Sequence, residues 1–231
     1  IGLGGMGSAS AYHLARRGQR VLGLEQFGAL HEQGSSHGLT RIIRLAYHEH
    51  PSYVPLLRRS YELWHELERT AGEELLITTG SLEGGPGDGE TFRGALEAAE
   101  LHNLPHEVLD AAELRGRYPA YAGFDPSTWV VFQPDGGFLL AERSVRAHLD
   151  AATAAGADLR FDVAVRSWEP TASGGVRVVT DAGAHEAGRL VICAGAWASR
   201  LVPAVDGLAA PERQVLAWLT PQRPELFTPD R

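Results

Sequence analysis

The apolar positions of this chain change period several times, and each change marks an element. Behind a glycine-rich opening, Ala11, Leu14 and Ala15 form a small apolar face on a helix that Gly18 is placed to stop. Arg20–Glu25 then reads as a strand that ends on an acidic residue. The residues after it are rich in Gly, Ser and His and have no period of 2 or 3.6, which predicts a long loop. From Pro51 to Ala71, Leu56, Leu57, Leu63, Trp64 and Leu67 make one stripe and predict a helix closed by Gly72. A strand over Leu75–Leu82 follows, and Gly84–Gly89 reads as its turn. Next come a helix over Thr91–His102 with Phe92, Leu96 and Ala99 inward, a short strand over His106–Leu109, and an acidic helix over Asp110–Arg117. Trp129–Phe132 predicts a strand, Gln133–Gly137 a turn, and Leu140–Ala155 a helix burying Val145, Leu149 and Ala152 before Gly156. From Asp158 the period falls to two. Leu159, Phe161, Val163 and Val165 alternate, and Val176–Thr180 answers them across a Gly-rich turn at 173–175. With a further turn at Asp181–Gly183, this predicts an antiparallel meander set into an α/β pattern. Arg189–Cys193 reads as a buried parallel strand, ending in Ala194-Gly195-Ala196-Trp197.

The opening carries chemistry. Gly2, Gly4 and Gly7 are spaced Gly-x-Gly-x-x-Gly around Gly5 and Met6, directly before a helix, and Glu25 closes the next strand. Such a turn brings backbone up to a pyrophosphate, the helix offers it N-terminal amides, and the acidic residue takes ribose hydroxyls. The spacing points to a dinucleotide and does not separate FAD from NAD. Arg41 and Arg44 are three apart, so a helical turn would set both on one face; two solvated arginines fit that spacing equally well.

Composition narrows the partners. The 231 residues have room for one large domain or two small ones, and 44% hydrophobic with 22% charged residues is globular. A net charge of −8 argues against nucleic acid, and no apolar run reaches the roughly 18 residues that span a membrane. The single cysteine, Cys193, excludes an internal disulfide and fits a reducing compartment, hence the cytoplasm. No metal site is evident, and His48 and His50 around Glu49 read as a polar loop. Only Ile1 stands before the first glycine, and residues 220–229 break off without a closing element, so the expectation is part of a longer protein, cut at both ends.

The glycine turn, the inserted meander and the late strand ending in Ala-Gly-Ala-Trp together resemble flavin-dependent amine oxidases of the D-amino-acid-oxidase-like superfamily. More narrowly, the chain resembles the monomeric sarcosine oxidase and N-methyl-L-tryptophan oxidase family. Gly34–Arg44, Tyr53–Leu56, Glu62–Trp64, Phe132–Gly137, Ile192–Trp197 and Arg213–Val215 carry that resemblance, in the family's order. It implies an α/β fold: a Rossmann-like FAD-binding domain (1–80 and 135–205) with an inserted antiparallel β-meander, and part of an α+β substrate domain (81–134 and 206–231).

The resemblance also implies oxidation of the C–N bond of an N-methyl amino acid to an imine. Formaldehyde, the primary amino acid and, with oxygen as acceptor, hydrogen peroxide would be the products. Arg44 matches the family's carboxylate-binding arginine and Arg41 the arginine beside the flavin. Ser35, Ser36, His37 and Thr40 fall in the flavin-contacting loop, Glu25 and Gln26 at the adenosine ribose, Val163 near the adenine, and Ala194, Gly195 and Trp197 along the flavin. The family's covalent flavin link would use a cysteine beyond Arg231; Cys193 reads as a small buried residue instead. The implied partners are a small amine and oxygen, with neither nucleic acid nor membrane, and the implied state is a monomer. Another FAD-dependent amino acid oxidase or dehydrogenase, an NAD-dependent dehydrogenase, and a catalytically incomplete nucleotide-binding fragment remain the alternatives.

Overall fold

The structure, a computed structural model, describes residues 1–228. In chain order its helices are α1 (Gly5–Ala15), α2 (Tyr53–Ala71), α3 (Glu90–Leu101), α4 (Ala111–Arg117), α5 (Ala141–Ala154) and α6 (Ala198–Leu201). Its strands are β1 (Leu22–Leu24), β2 (Thr40–Ile43), β3 (Leu76–Thr78), β4 (Ser81–Pro86), β5 (Glu107–Asp110), β6 (Thr128–Gln133), β7 (Gly137–Leu140), β8 (Asp158–Arg160), β9 (Val165–Pro170), β10 (Val176–Thr180) and β11 (Gly183–Ala187). They fold into two compact units, residues 1–39 with 141–215, and residues 40–140 with the described residues from 216 onward.

In the first unit β1 pairs in parallel with β8. On the other side of β1, Gly2 N donates to Leu24 O at 2.8 Å, and Cys193 N donates to Ile1 O at 2.7 Å. Residues 1–3 and 191–193 therefore extend the layer without regular strand geometry. Leu3 and Leu24 are buried with Ala11, Tyr12 and Ala15 of α1 and Val145, Leu149 and Ala152 of α5. The α5 face is the one the periodicity predicts, while on α1 Tyr12 is buried and Leu14 only half-buried; both stops occur, Gly18 and Gly156 having φ of 77° and 90°.

Two expectations in this unit change. The alternation from Leu159 to Val165 is not one meander strand. β8 ends at Arg160, Asp162 turns at a φ of 57°, and the meander is β9–β10–β11. The break arises because the chain crosses the end of β1, where Asp162 N donates to Phe27 O and Val163 N to Glu25 O. The buried strand over Arg189–Cys193 is also corrected. Among the described residues its backbone bonds go to Ile1, on one side only, and Val191 stays 46% exposed.

The second unit holds two antiparallel sheets, β2–β7–β3 and β4–β6–β5. The expected strand over 75–82 is split by Gly80, whose φ is 77° and whose Cβ would stand 2.5 Å from the Phe132 ring. Gly84, Gly85 and Pro86 are strand and not turn: they pair with Val130, Trp129 and Thr128 of β6. The buried face of α2 is rotated from the expected stripe, with Val54, Leu57, Tyr61 and Leu67 inward and Leu56 69% exposed. Strands β2 and β7 were not read from the sequence, and they move the division of the chain. Because β7 pairs with both β2 and β3, residues 40–80 and 135–140 fold within the second unit, and residues 206–215 fold with the first.

Candidate cofactor site

A cavity of about 570 Å³ opens in the first unit and is lined by residues of that unit alone. Its wall begins with the glycine turn. Gly2 adopts a φ of 86°, and a Cβ there would stand 2.4 Å from Cys193 O. A Cβ on Gly7 would stand 1.8 Å from Gly2 O, so Gly7 lets α1 start against the strand while staying off the cavity wall. Gly4 lines the cavity, and a Cβ there would meet only Ser36 Oγ at 3.5 Å. Helix α1 has no side-chain cap of its own; Ser36 Oγ instead accepts from Gly5 N at 2.9 Å, and Met6 is 79% exposed. The amides of the first turn thus face the cavity with the positive end of the helix dipole.

Glu25 lines the same cavity and is buried, with 6% of its surface exposed. Its Oε2 accepts from Leu3 N at 2.8 Å and its Oε1 from Phe27 N at 3.2 Å. A carboxylate has about four lone-pair sites, so two backbone amides hold it in place and leave acceptor capacity toward the cavity. The Ser-rich loop closes another side with Ser35, Ser36 and His37. His37 Nδ1 lies 2.7 Å from Gly34 O, and Gly38 N donates to Glu142 Oε1 at 2.7 Å, which ties the loop to the first turn of α5. Gln26, Val163, Ala194, Gly195 and Trp197 complete the predicted residues found in the wall. The Trp197 ring stands edge-on to Phe27 at 5.8 Å.

Several lining residues were missed by sequence reading: His31, Glu142, Arg166 and Arg200. Glu142 carried a signal, an acid in the first turn of a helix behind Gly-rich sequence; the other three had none. Cys193 is half-buried and part of the cavity wall, which corrects its reading as a buried residue.

Thr40, Arg41 and Arg44 belong to the second unit. Thr40 and Arg41 lie in β2 opposite Leu140 and Leu139, and Arg41 NH1 donates to Thr40 O at 2.7 Å. Arg44 follows directly on β2, so the helical turn considered for this pair is replaced by a strand, where a spacing of three does not share a face. Arg44 Nε donates to Glu83 Oε2 at 2.9 Å, and its guanidinium lies 4.3 Å from the Tyr47 ring centre. His48 Nδ1 stands 2.7 Å from the other oxygen of Glu83. Among the described residues no group of three or more His, Cys, Asp or Glu is arranged to hold a metal ion.

A glycine turn open to close approach, a helix start that faces the cavity and a buried acid with spare acceptor sites fit the adenosine diphosphate half of a dinucleotide such as FAD. They define a dinucleotide-binding protein. Residues 1–230 match the family described as FAD dependent oxidoreductase (DAO), and the chain belongs to that family. It is 48% identical over 224 residues to the monomeric sarcosine oxidase of Streptomyces avermitilis, across 96% of this chain and 57% of that protein. It is 34% identical over 219 residues to an N-methyl-L-tryptophan oxidase of Yersinia pestis, across 94% of this chain and 58% of that protein. Among solved structures, the open form of NikD, an unusual amino acid oxidase essential for nikkomycin biosynthesis, superposes with a TM-score of 0.77 at 30% identity, covering 88% of this chain and 52% of that one. The chain thus spans little more than half the length of these relatives. The resemblance and the α/β class with its Rossmann-like half, both read from the sequence, are borne out.

Proposed function

We propose that this chain forms the FAD-binding part, and a portion of the substrate-binding part, of an oxidase acting on a secondary amine. The substrate is an N-methyl amino acid such as sarcosine or N-methyl-L-tryptophan. Oxidation of its C–N bond gives an imine, which water converts to formaldehyde and the primary amino acid, with oxygen reduced to hydrogen peroxide. The observation that carries this reading is the 48% identity to a monomeric sarcosine oxidase along 96% of the chain, together with the buried Glu25 in the cavity wall.

FAD, when bound, supplies the acceptor for the electrons of the C–N bond. The protein's residues bind and orient. Gly2, Gly4, Gly5 and Met6 present backbone to the pyrophosphate, and Glu25 with Gln26 takes the ribose. Val163 sits toward the adenine, and Ser35, Ser36, His37 and Thr40 line the path to the flavin with Ala194, Gly195 and Trp197. Arg44 holds the substrate carboxylate, for which a planar guanidinium offers paired donors. Arg41 stands by the flavin to offset the negative charge of its reduced form. The single cysteine fits a reducing, cytoplasmic setting, and the similarity to a monomeric sarcosine oxidase supports a monomer.

The test is direct. The purified protein should show flavin absorbance, or gain it when FAD is added, and should form peroxide and formaldehyde from sarcosine or N-methyl-L-tryptophan. Failure to take up FAD sinks the reading, and peroxide with methylamine in place of formaldehyde moves the oxidised bond to the α-carbon side of the nitrogen.

A further inference from the structure

The chain leaving β1 folds back and brings a second side chain to the buried carboxylate of Glu25. His31 Nε2 stands 3.4 Å from Glu25 Oε1, and both residues line the cavity. The other ring nitrogen is engaged: His31 Nδ1 accepts from Gln33 N at 3.1 Å. In a neutral imidazole an accepting Nδ1 leaves the proton on Nε2, so an N–H is presented on the Glu25 side. The ring rests against Phe27, with centres 4.7 Å apart, and Phe27 in turn meets Trp197. A Cβ on Gly34 would approach His31 Cε1 to 3.3 Å, so the absence of a side chain there gives the ring its place.

The separation of 3.4 Å is long for a direct hydrogen bond. Nε2–H is therefore free to serve a third group, while Glu25 retains acceptor sites after holding Leu3 N and Phe27 N. A donor and a charged acceptor set side by side on a cavity wall match a hydroxyl, which accepts from one and donates to the other.

We propose that His31 is a binding residue for the adenosine ribose: Nε2–H donates to the 2′-hydroxyl, whose own proton goes to Glu25. This rests on the reading of Glu25 as the ribose-binding carboxylate. A 2′-deoxyribose leaves the His31 N–H and the spare acceptor sites of Glu25 without that partner, and the pair thereby selects the intact ribose.

The experiment is a titration of apoprotein with FAD, followed by flavin fluorescence, with ADP and 2′-deoxy-ADP as competitors. His31→Phe keeps the contact with Phe27 and removes the donor; His31→Gln restores one. His31→Phe should weaken FAD by roughly three- to tenfold, and His31→Gln should recover most of that loss. In the unaltered protein ADP should compete better than 2′-deoxy-ADP, and in His31→Phe the two should converge. If His31→Phe fails to fold, His31→Leu takes its place in the same comparison. Unchanged FAD affinity without the donor, or an ADP preference that survives it, overturns the role of His31. Unchanged FAD affinity in Glu25→Ala brings down the ribose reading itself.

Discussion

Arg44 and Glu83 form a part-buried ion pair, with Nε 2.9 Å from Oε2 and side-chain exposures of 17% and 12%. Glu83 is itself held by His48 through its other oxygen, and Tyr47 covers a face of the guanidinium. The pair fixes the direction of Arg44 through one donor, while the remaining guanidinium N–H groups can grip a second carboxylate. NH2 already lies within 3.8 Å of Glu49, so this arginine works among acids. An ammonium in the same place would lack the fork that the proposed grip on a substrate carboxylate beside Glu83 requires.

Arg44→Ala should therefore lower kcat/KM for the amine by about ten- to a hundredfold, because a hydrogen-bonded charge is lost. Arg44→Lys should recover part of it. In stopped-flow the loss should fall in anaerobic flavin reduction, whereas Arg41→Lys should chiefly slow reoxidation by oxygen. Equal slowing of one and the same half-reaction by both variants would show that the division of roles is wrong.

His148, on α5 against Tyr12 and His13 of α1, is 6% exposed, and burial lowers its pKa from 6.5 to about 4. Its Nδ1 lies 3.0 Å from Ser144 O, to which the neutral ring donates. The unfolded chain takes up a proton near pH 6.5 and the folded one only near 4. This histidine's contribution is thus fully present above pH 6.5 and is lost as pH falls toward 4, by on the order of 3 kcal/mol at most. Urea unfolding at pH 4.5 and 7.5 should show that loss, and His148→Leu should shrink it. A His148→Leu variant that loses as much stability on acidification as the unaltered protein would assign the effect to other groups.

The two ends of the glycine turn should respond differently to one methyl group. Gly7→Ala puts a Cβ 1.8 Å from Gly2 O and should cost on the order of 1–3 kcal/mol of stability, because backbone has to move. Gly4→Ala meets only Ser36 Oγ at 3.5 Å and should leave the thermal midpoint nearly unchanged. Its methyl group instead enters the cavity at the position proposed for the pyrophosphate, and FAD affinity should fall by roughly tenfold or more, the equivalent of about 1.4 kcal/mol. Full FAD affinity in Gly4→Ala would mean that the pyrophosphate lies elsewhere.

What the sequence made legible was local. The glycine spacing, the acid closing β1, the stops at Gly18 and Gly156, and the buried faces of α3 and α5 all follow from periods and turn chemistry within a few residues. What it hid was long-range pairing. β7 has four residues and no alternation, so Gly137 reads as turn and Leu140 as the start of the helix, although β7 is the central strand of its sheet. The Arg44–Glu83 pair joins positions 39 apart, and no period connects them. Leu159 to Val165 had a strand's alternation, but Asp162 bends the chain, because two of its amides are taken by the loop that follows β1.

Cys193 has a place that makes its chemistry testable. Its amide is held by Ile1 O, its carbonyl lies against Gly2, and a Cβ on Gly7 would come within 3.3 Å of its own Cβ. It thus lies beside the glycine turn, the part of the cavity assigned above to the pyrophosphate. A covalent bond to the flavin ring needs a sulfur beside that ring, at the other end of the cofactor from the adenosine. Cys193→Ala should therefore leave any covalent flavin in place. After acid precipitation of the full-length protein, flavin should remain with the pellet to the same extent in variant and unaltered protein. Release of free FAD on this one change would place the flavin ring, and not the pyrophosphate, against the glycine turn, and would reverse the orientation of the cofactor in the cavity.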